Sequence, residues 1–184
     1  KLSIQKPHFL TFSLGTIIAN ALMHRVPDRI ETMTLAGPVL RLNRWSEALV
    51  NTAWKLRHFA SYMTFYKIFA HIMMPFKSHA ISRHFFISEA TKLGRKEFVK
   101  WVHLLIRAKI PYEKLHNSNN TVPKFYLIGE DDHMFLDEAK YAASKDQFAR
   151  IEVLPNCGHV CIIESSEASN NAIHSFIQTY NNGK

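Results

Sequence analysis

Cysteine is scarce in this chain, long apolar runs are missing, and the middle of the sequence is poor in acidic residues. Of 184 residues only Cys157 and Cys161 are cysteines, four positions apart. Two thiols cannot build a disulfide framework, and they read as reduced cysteines of an intracellular, cytoplasmic protein. The longest apolar runs, such as Phe69–Phe76, are broken by His71 and are far too short to span a bilayer. Lys1–Pro7 contains no long apolar stretch, so no secretory signal pattern opens the chain. Repeats and low-complexity tracts are also absent. A tetrahedral zinc site wants four ligands, usually with a second Cys-x-x-Cys or a histidine pair. Around Cys157, His159 and Cys161 only His133 is a further candidate, so the sequence assigns no metal.

What is present suits one globular domain with a sizeable core, since 47% of the residues are hydrophobic. The formal net charge of +8 by itself suggests an anionic partner. Its distribution redirects that reading. Residues 41–116 carry 14 Lys and Arg against 4 Asp and Glu, whereas the rest of the chain carries 9 against 11. The positive charge belongs to one segment, where it is interleaved with aromatics at helical spacing, the pattern of a solvated basic face on amphipathic helices. Attraction to anionic substrates or to a membrane surface is the second reading of that face. No basic stripe with a recognisable reading motif appears, which argues against nucleic acid as a partner.

Along the chain, strand and helix signals alternate, stop, and then resume. Pro7–Phe12 is a short apolar run that reads as a buried strand. Gly15–Arg25 has apolar residues at Ile17, Ile18, Ala21 and Leu22, a helix pattern that Pro27 ends. Ile30–Ala36 alternates and stops at Gly37-Pro38, giving a second strand. Residues 41–116 differ: they hold all three tryptophans and 13 of the 22 aromatics, with Pro75 the one proline between Pro38 and Pro111. Their periodicity predicts several helices that break near Pro75 and near Gly94, followed by a polar loop from Pro111 to Pro123. Lys124–Ile128 reads as a third strand, Leu136–Gln147 as a helix, Ala149–Leu154 as a fourth strand and Ser165–Tyr180 as a closing helix. Such alternation implies an α/β fold with parallel strands covered by helices.

Three strand ends carry residues with chemistry. Ser13 follows the first strand in Thr11-Phe12-Ser13-Leu14-Gly15. A sharp strand-to-helix turn there lifts the side chain out of the sheet and aims the next backbone N–H at its attack site. A serine that caps a helix is the plainer reading of Ser13 alone. Asp132 lies in Gly129-Glu130-Asp131-Asp132, just past the third strand, where open α/β sheets place their ligands. Its neighbour Asp131 fits an acidic turn or a helix N-cap. His159 follows the fourth strand in Asn156-Cys157-Gly158-His159. Each alone has an ordinary explanation. In the order Ser…Asp…His, each at the carboxyl end of a strand, they make a candidate nucleophile, acid and base.

These motifs resemble the α/β-hydrolase superfamily, from its nucleophile strand to its last helix. The family elbow Gly-x-Ser-x-Gly stands here as Thr11-Phe12-Ser13-Leu14-Gly15, with a β-branched residue in place of the first glycine. The family acid falls on Asp132 and the family base on His159 of the Gly158-His159 pair, and Glu164 with the helix after it matches the usual tail. The resemblance implies a parallel sheet flanked by helices. Residues 1–40 and 117–184 would form the later part of the hydrolase core, and residues 41–116 an inserted helical cap or lid. It further implies an esterase-like serine hydrolase acting on a small-molecule ester or thioester with an apolar acyl group, through an acyl-enzyme. The Leu14 backbone N–H would serve as an oxyanion donor, and no cofactor or metal is called for. A non-catalytic ligand-binding member, an acyltransferase or a C–C bond hydrolase would use the same framework. The family's first strands and the loop with its second oxyanion donor have no counterpart ahead of Ser13, which implies an N-terminally incomplete chain. On that reading Leu2–Lys6 matches the tail of a preceding helix, and the flank of Pro7–Phe12 is left as an open apolar edge.

Overall fold

The computed structural model describes residues 4–42, 44–107 and 120–181. Four strands form one parallel sheet in the order β1 (His8–Phe12), β2 (Thr32–Ala36), β3 (Lys124–Gly129) and β4 (Ala149–Leu154). Parallel neighbours need crossover connections, usually helical. Helix α1 (Gly15–Arg25) joins β1 to β2, and α6 (Leu136–Ser144) joins β3 to β4. Among the described residues between β2 and β3 lie four helices: α2 (Arg44–Leu56), α3 (Tyr62–Met73), α4 (Ala80–Ala90) and α5 (Gly94–Ile106). A single 3-10 turn, Lys77–His79, joins α3 to α4. The short α7 (Cys161–Glu164) and the long α8 (Ser166–Asn181) follow β4.

Strands β2 and β3 are buried along their whole lengths, as central strands covered on both faces must be. The two-residue alternation of β3 divides its side chains between two cores. Tyr126 and Ile128 join Ile17, Met23, Met33 and Leu35 on the side of α1 and α6, whereas Phe125 and Leu127 join Leu154, Ile173 and Phe176 on the side of α8. A third core of Val50, Ala53, Phe65, Phe98 and Val102 belongs to α2, α3 and α5. The sheet's two outer strands differ. On β1, Leu10 is 55% exposed and the strand carries no acidic residue, so the flank is apolar and open. On β4, exposed Arg150 and Glu152 alternate with inward-facing residues, and charges of this kind discourage strand addition.

Element bounds depart from the sequence pattern in several places, beyond one or two residues at strand ends. The Leu136–Gln147 helix ends at Ser144, where the Lys145 N–H reaches Ala142 O and Ala143 O and the chain turns toward β4. The helical segment breaks a third time at Arg57–Ser61, and Ser61 caps α3 by accepting the Met63 N–H at 3.3 Å. The closing helix is preceded by α7, with Ser165 in non-helical backbone between them. Residues Ile4–Lys6 are irregular rather than the tail of a helix, as Pro7 biases Lys6 away from helical backbone. Lys1–Ser3 and residues 111–119 of the expected polar loop lie outside the described residues. Among the described residues no helix is long and apolar enough to cross a membrane.

Candidate active site

Ser13 sits between β1 and α1 with φ 49°, a left-handed conformation that a non-glycine residue rarely adopts without support. The support comes from both sides of the turn. The Ser13 N–H donates to Ala36 O at 2.9 Å and so extends the β1–β2 ladder by one bond. Thr16 Oγ donates to Ser13 O at 2.6 Å and accepts the Val39 N–H at 2.9 Å, tying the turn to the chain leaving β2. Thr11, the departure from the glycine elbow, fits because its hydroxyl donates to Thr34 O at 3.0 Å on the next strand. A Cβ on Gly15 would meet Thr11 Cβ only at 3.9 Å, an ordinary contact.

The structure brings Ser13, His159 and Asp132 into one line. His159 Nδ1–H donates to Asp132 Oδ2 at 2.8 Å, and the Ser13 hydroxyl donates to His159 Nε2 at 2.8 Å. The tautomer follows from the partners: a carboxylate only accepts, so Nδ1 carries the proton and Nε2 keeps its lone pair for the serine. His159 and Asp132 are fully buried, and the rings of Phe135 and Phe12 flank the imidazole at 5.3 and 5.8 Å. Backbone links hold the acid and base turns together, since the Asp131 N–H donates to Cys157 O at 2.8 Å. Gly129 allows that approach. A Cβ there would lie 2.1 Å from Cys157 O and 2.3 Å from Gly158 O, which no side chain permits.

Ser13 opens onto two apolar hollows walled by the helical segment. The inner one is a cavity of about 80 Å³ whose walls include Val39, Leu42, Met73, Phe98, Met134 and Phe135. The outer one, about 440 Å³, lies against Phe85, Phe86, Leu93, Trp101, Val160 and Ile163. Leu14 lines both, and its backbone N–H finds no protein partner among the described residues. Cys157 and Cys161 sit in the core against α8, and burial pushes both thiols up to about 12. Among the described residues no three His, Cys, Asp or Glu side chains converge as metal ligands.

Asp131 does not cap a helix. Phe135 precedes α6 without a side-chain cap, and Asp131 turns instead toward His79, 3.4 Å away. Sequence reading does not mark His79. It is one histidine among eleven, and only tertiary packing brings the turn before α4 to the ends of β3 and β4.

No protein-family model matches the chain, and no curated protein matches it in sequence. Solved structures match its fold. A carboxylesterase of the thaumarchaeon Nitrososphaera gargenis has a TM-score of 0.77 at 16% identity, over 98% of this chain and 68% of its own. A bromoperoxidase from Bacillus anthracis gives 0.75 at 16% identity, over 95% and 68%. A 2-hydroxy-6-oxo-6-phenylhexa-2,4-dienoate hydrolase from a Rhodococcus species gives 0.71 at 16% identity, over 95% and 65%. The chain thus spans 65–68% of the length of these structures. Its parallel sheet, flanking helices and strand-to-helix turn at Ser13, taken with these matches, give the chain the α/β-hydrolase fold.

Proposed function

We propose that the protein is a serine hydrolase that cleaves a carboxylic ester or thioester through an acyl-enzyme on Ser13. The observation that carries this reading is the unbroken Ser13–His159–Asp132 relay opening onto apolar hollows. His159 Nε2 takes the hydroxyl proton as Ser13 Oγ attacks the carbonyl carbon, and Asp132 holds the imidazole in its tautomer and stabilises the imidazolium. The carbonyl oxygen, gaining charge, turns to the Leu14 N–H at the start of α1, a donor contact worth about 3 kcal/mol in the transition state. The C–O or C–S bond then breaks, and the proton on His159 passes to the leaving alcohol or thiol. Water repeats the sequence in reverse roles, releasing the acid and restoring Ser13.

The two hollows suggest how a substrate lies. The narrow inner cavity suits a short apolar acyl chain. The outer one, bordered by half-exposed Phe85 and Leu93, suits a larger leaving group still in contact with solvent. The test is stopped-flow hydrolysis of p-nitrophenyl butyrate. A burst of p-nitrophenol matching the enzyme concentration is expected, followed by slower turnover. Tight binding of apolar ligands without any burst would favour a non-catalytic ligand-binding protein instead.

A further inference from the structure

Outside the relay the protein buries a second histidine against two carboxylates. His79 is 1% exposed and ends the turn between α3 and α4. Its Nε2 lies 3.4 Å from Asp131 Oδ2 and 3.6 Å from Glu164 Oε2, and neither ring nitrogen makes a hydrogen bond of normal geometry. A buried polar ring left without partners is costly, so the two carboxylate oxygens beside Nε2 account for its place. Glu164 Oε2 also accepts the Gly158 N–H at 2.6 Å. One side chain of the helical segment therefore reaches the residue before Asp132 directly, and the residue before His159 through a single carboxylate. The ring also packs against the backbone of that turn, since a Cβ on Gly158 would lie 3.0 Å from His79 Cε1. From the same turn Phe76 sets its ring edge-on against His133, 5.6 Å away, on the acid side. Just ahead of α2, the more exposed Arg41 makes a further tie to the rest of the fold, with Glu138 of α6 at 3.5 Å.

We infer that His79 is a positioning residue for the proposed active site. Its bridge to Asp131 and Glu164 holds the acid turn and the Gly158–His159 turn in the mutual placement that the Ser13 relay needs. Seating the helical segment and completing the relay then become one event. The kinetic consequence rests on the serine-hydrolase reading; the structural one does not. His79 lines neither hollow, so it acts through the relay and not through substrate contact.

The test uses His79→Gln and, as a milder probe that spares the buried ring, Asp131→Asn. Hydrogen exchange read by mass spectrometry needs no catalysis. In both variants the amides of residues 156–160 should exchange about tenfold faster, while β2 and β3 keep wild-type protection. In kinetics with p-nitrophenyl butyrate, His79→Gln should lower kcat about 10–100-fold and leave KM within about twofold, because a small misplacement of the base costs rate and not binding. In a Glu164→Gln background, adding His79→Gln should cost much less than it does alone. Unchanged exchange at 156–160 would overturn the inference, as would loss of protection spread evenly over the sheet. A wild-type protein without esterase activity, but with the local exchange change in both variants, would sink the hydrolase reading and leave the bridge standing.

Discussion

The sheet and the helical segment α2–α5 hold their residues by different means. At the carboxyl ends of the strands, backbone does the holding: the Ser13 N–H reaches Ala36 O, the Asp131 N–H reaches Cys157 O, and Gly129 lets the acid and base turns touch. In the helices, side chains do it. Phe65 stacks on Phe98 at 5.7 Å, and Tyr66 leans on both Phe98 and Phe86. Backbone geometry fixes atoms closely and tolerates little change, whereas a packed apolar wall accepts volume-conserving substitution. On the proposed reading the difference assigns separate jobs: the sheet would carry the reaction and the helices would select what reaches it.

The sharpest way to break this division is at the relay itself. Ser13→Ala or His159→Ala should lower kcat about 10⁶-fold, and Asp132→Asn, which keeps shape but loses control of the tautomer, about 10⁴-fold. Steady-state hydrolysis of p-nitrophenyl butyrate reads all three. Next comes a pair of glycines. Gly129→Ala forces a Cβ into two backbone oxygens and should destabilise by about 3 kcal/mol. Gly94→Ala in the helical segment, at φ +72° but with nothing within 4 Å of the new Cβ, should cost about 1 kcal/mol. Equal losses in urea denaturation would erase the distinction.

Trp101→Ala should alter choice and not chemistry. Its ring lines both hollows, so its removal should raise the octanoyl-to-butyryl ratio of kcat/KM about tenfold, with Ser13 still acylated. The smallest effect concerns the thiols. With both cysteines pushed up to about 12 by burial, iodoacetamide at pH 8 should leave the folded protein unmodified and label both cysteines in urea. The folded thiols titrate above their unfolded value of about 8.5. Their contribution to stability is therefore complete below that pH and declines as pH rises toward 12.

Much of the fold was legible because its signals are local. All four strands stand out as short apolar or alternating runs, and Gly15–Arg25 shows its helix by periodicity and its end by Pro27. The order of Ser13, Asp132 and His159 at strand ends was legible for the same reason. The break at Arg57–Ser61 was not, since no proline or glycine marks it and Ser61 works as a cap only once α3 begins. Neither was the His79 bridge, whose partners Asp131 and Glu164 meet it only after the helices settle on the sheet. Asp131 and Asp132 are neighbours in sequence, and only the second was legible as the acid. The turn after β3 separates them, sending one to His79 and the other to His159.

The most direct test of the central claim is labelling with a fluorophosphonate, with the adduct located by peptide mass spectrometry. One adduct is expected, on Ser13, absent in Ser13→Ala and strongly reduced in His159→Ala, since the hydroxyl depends on His159 Nε2 for its activation. A folded protein that takes up no reagent, or takes it on another serine, would contradict it.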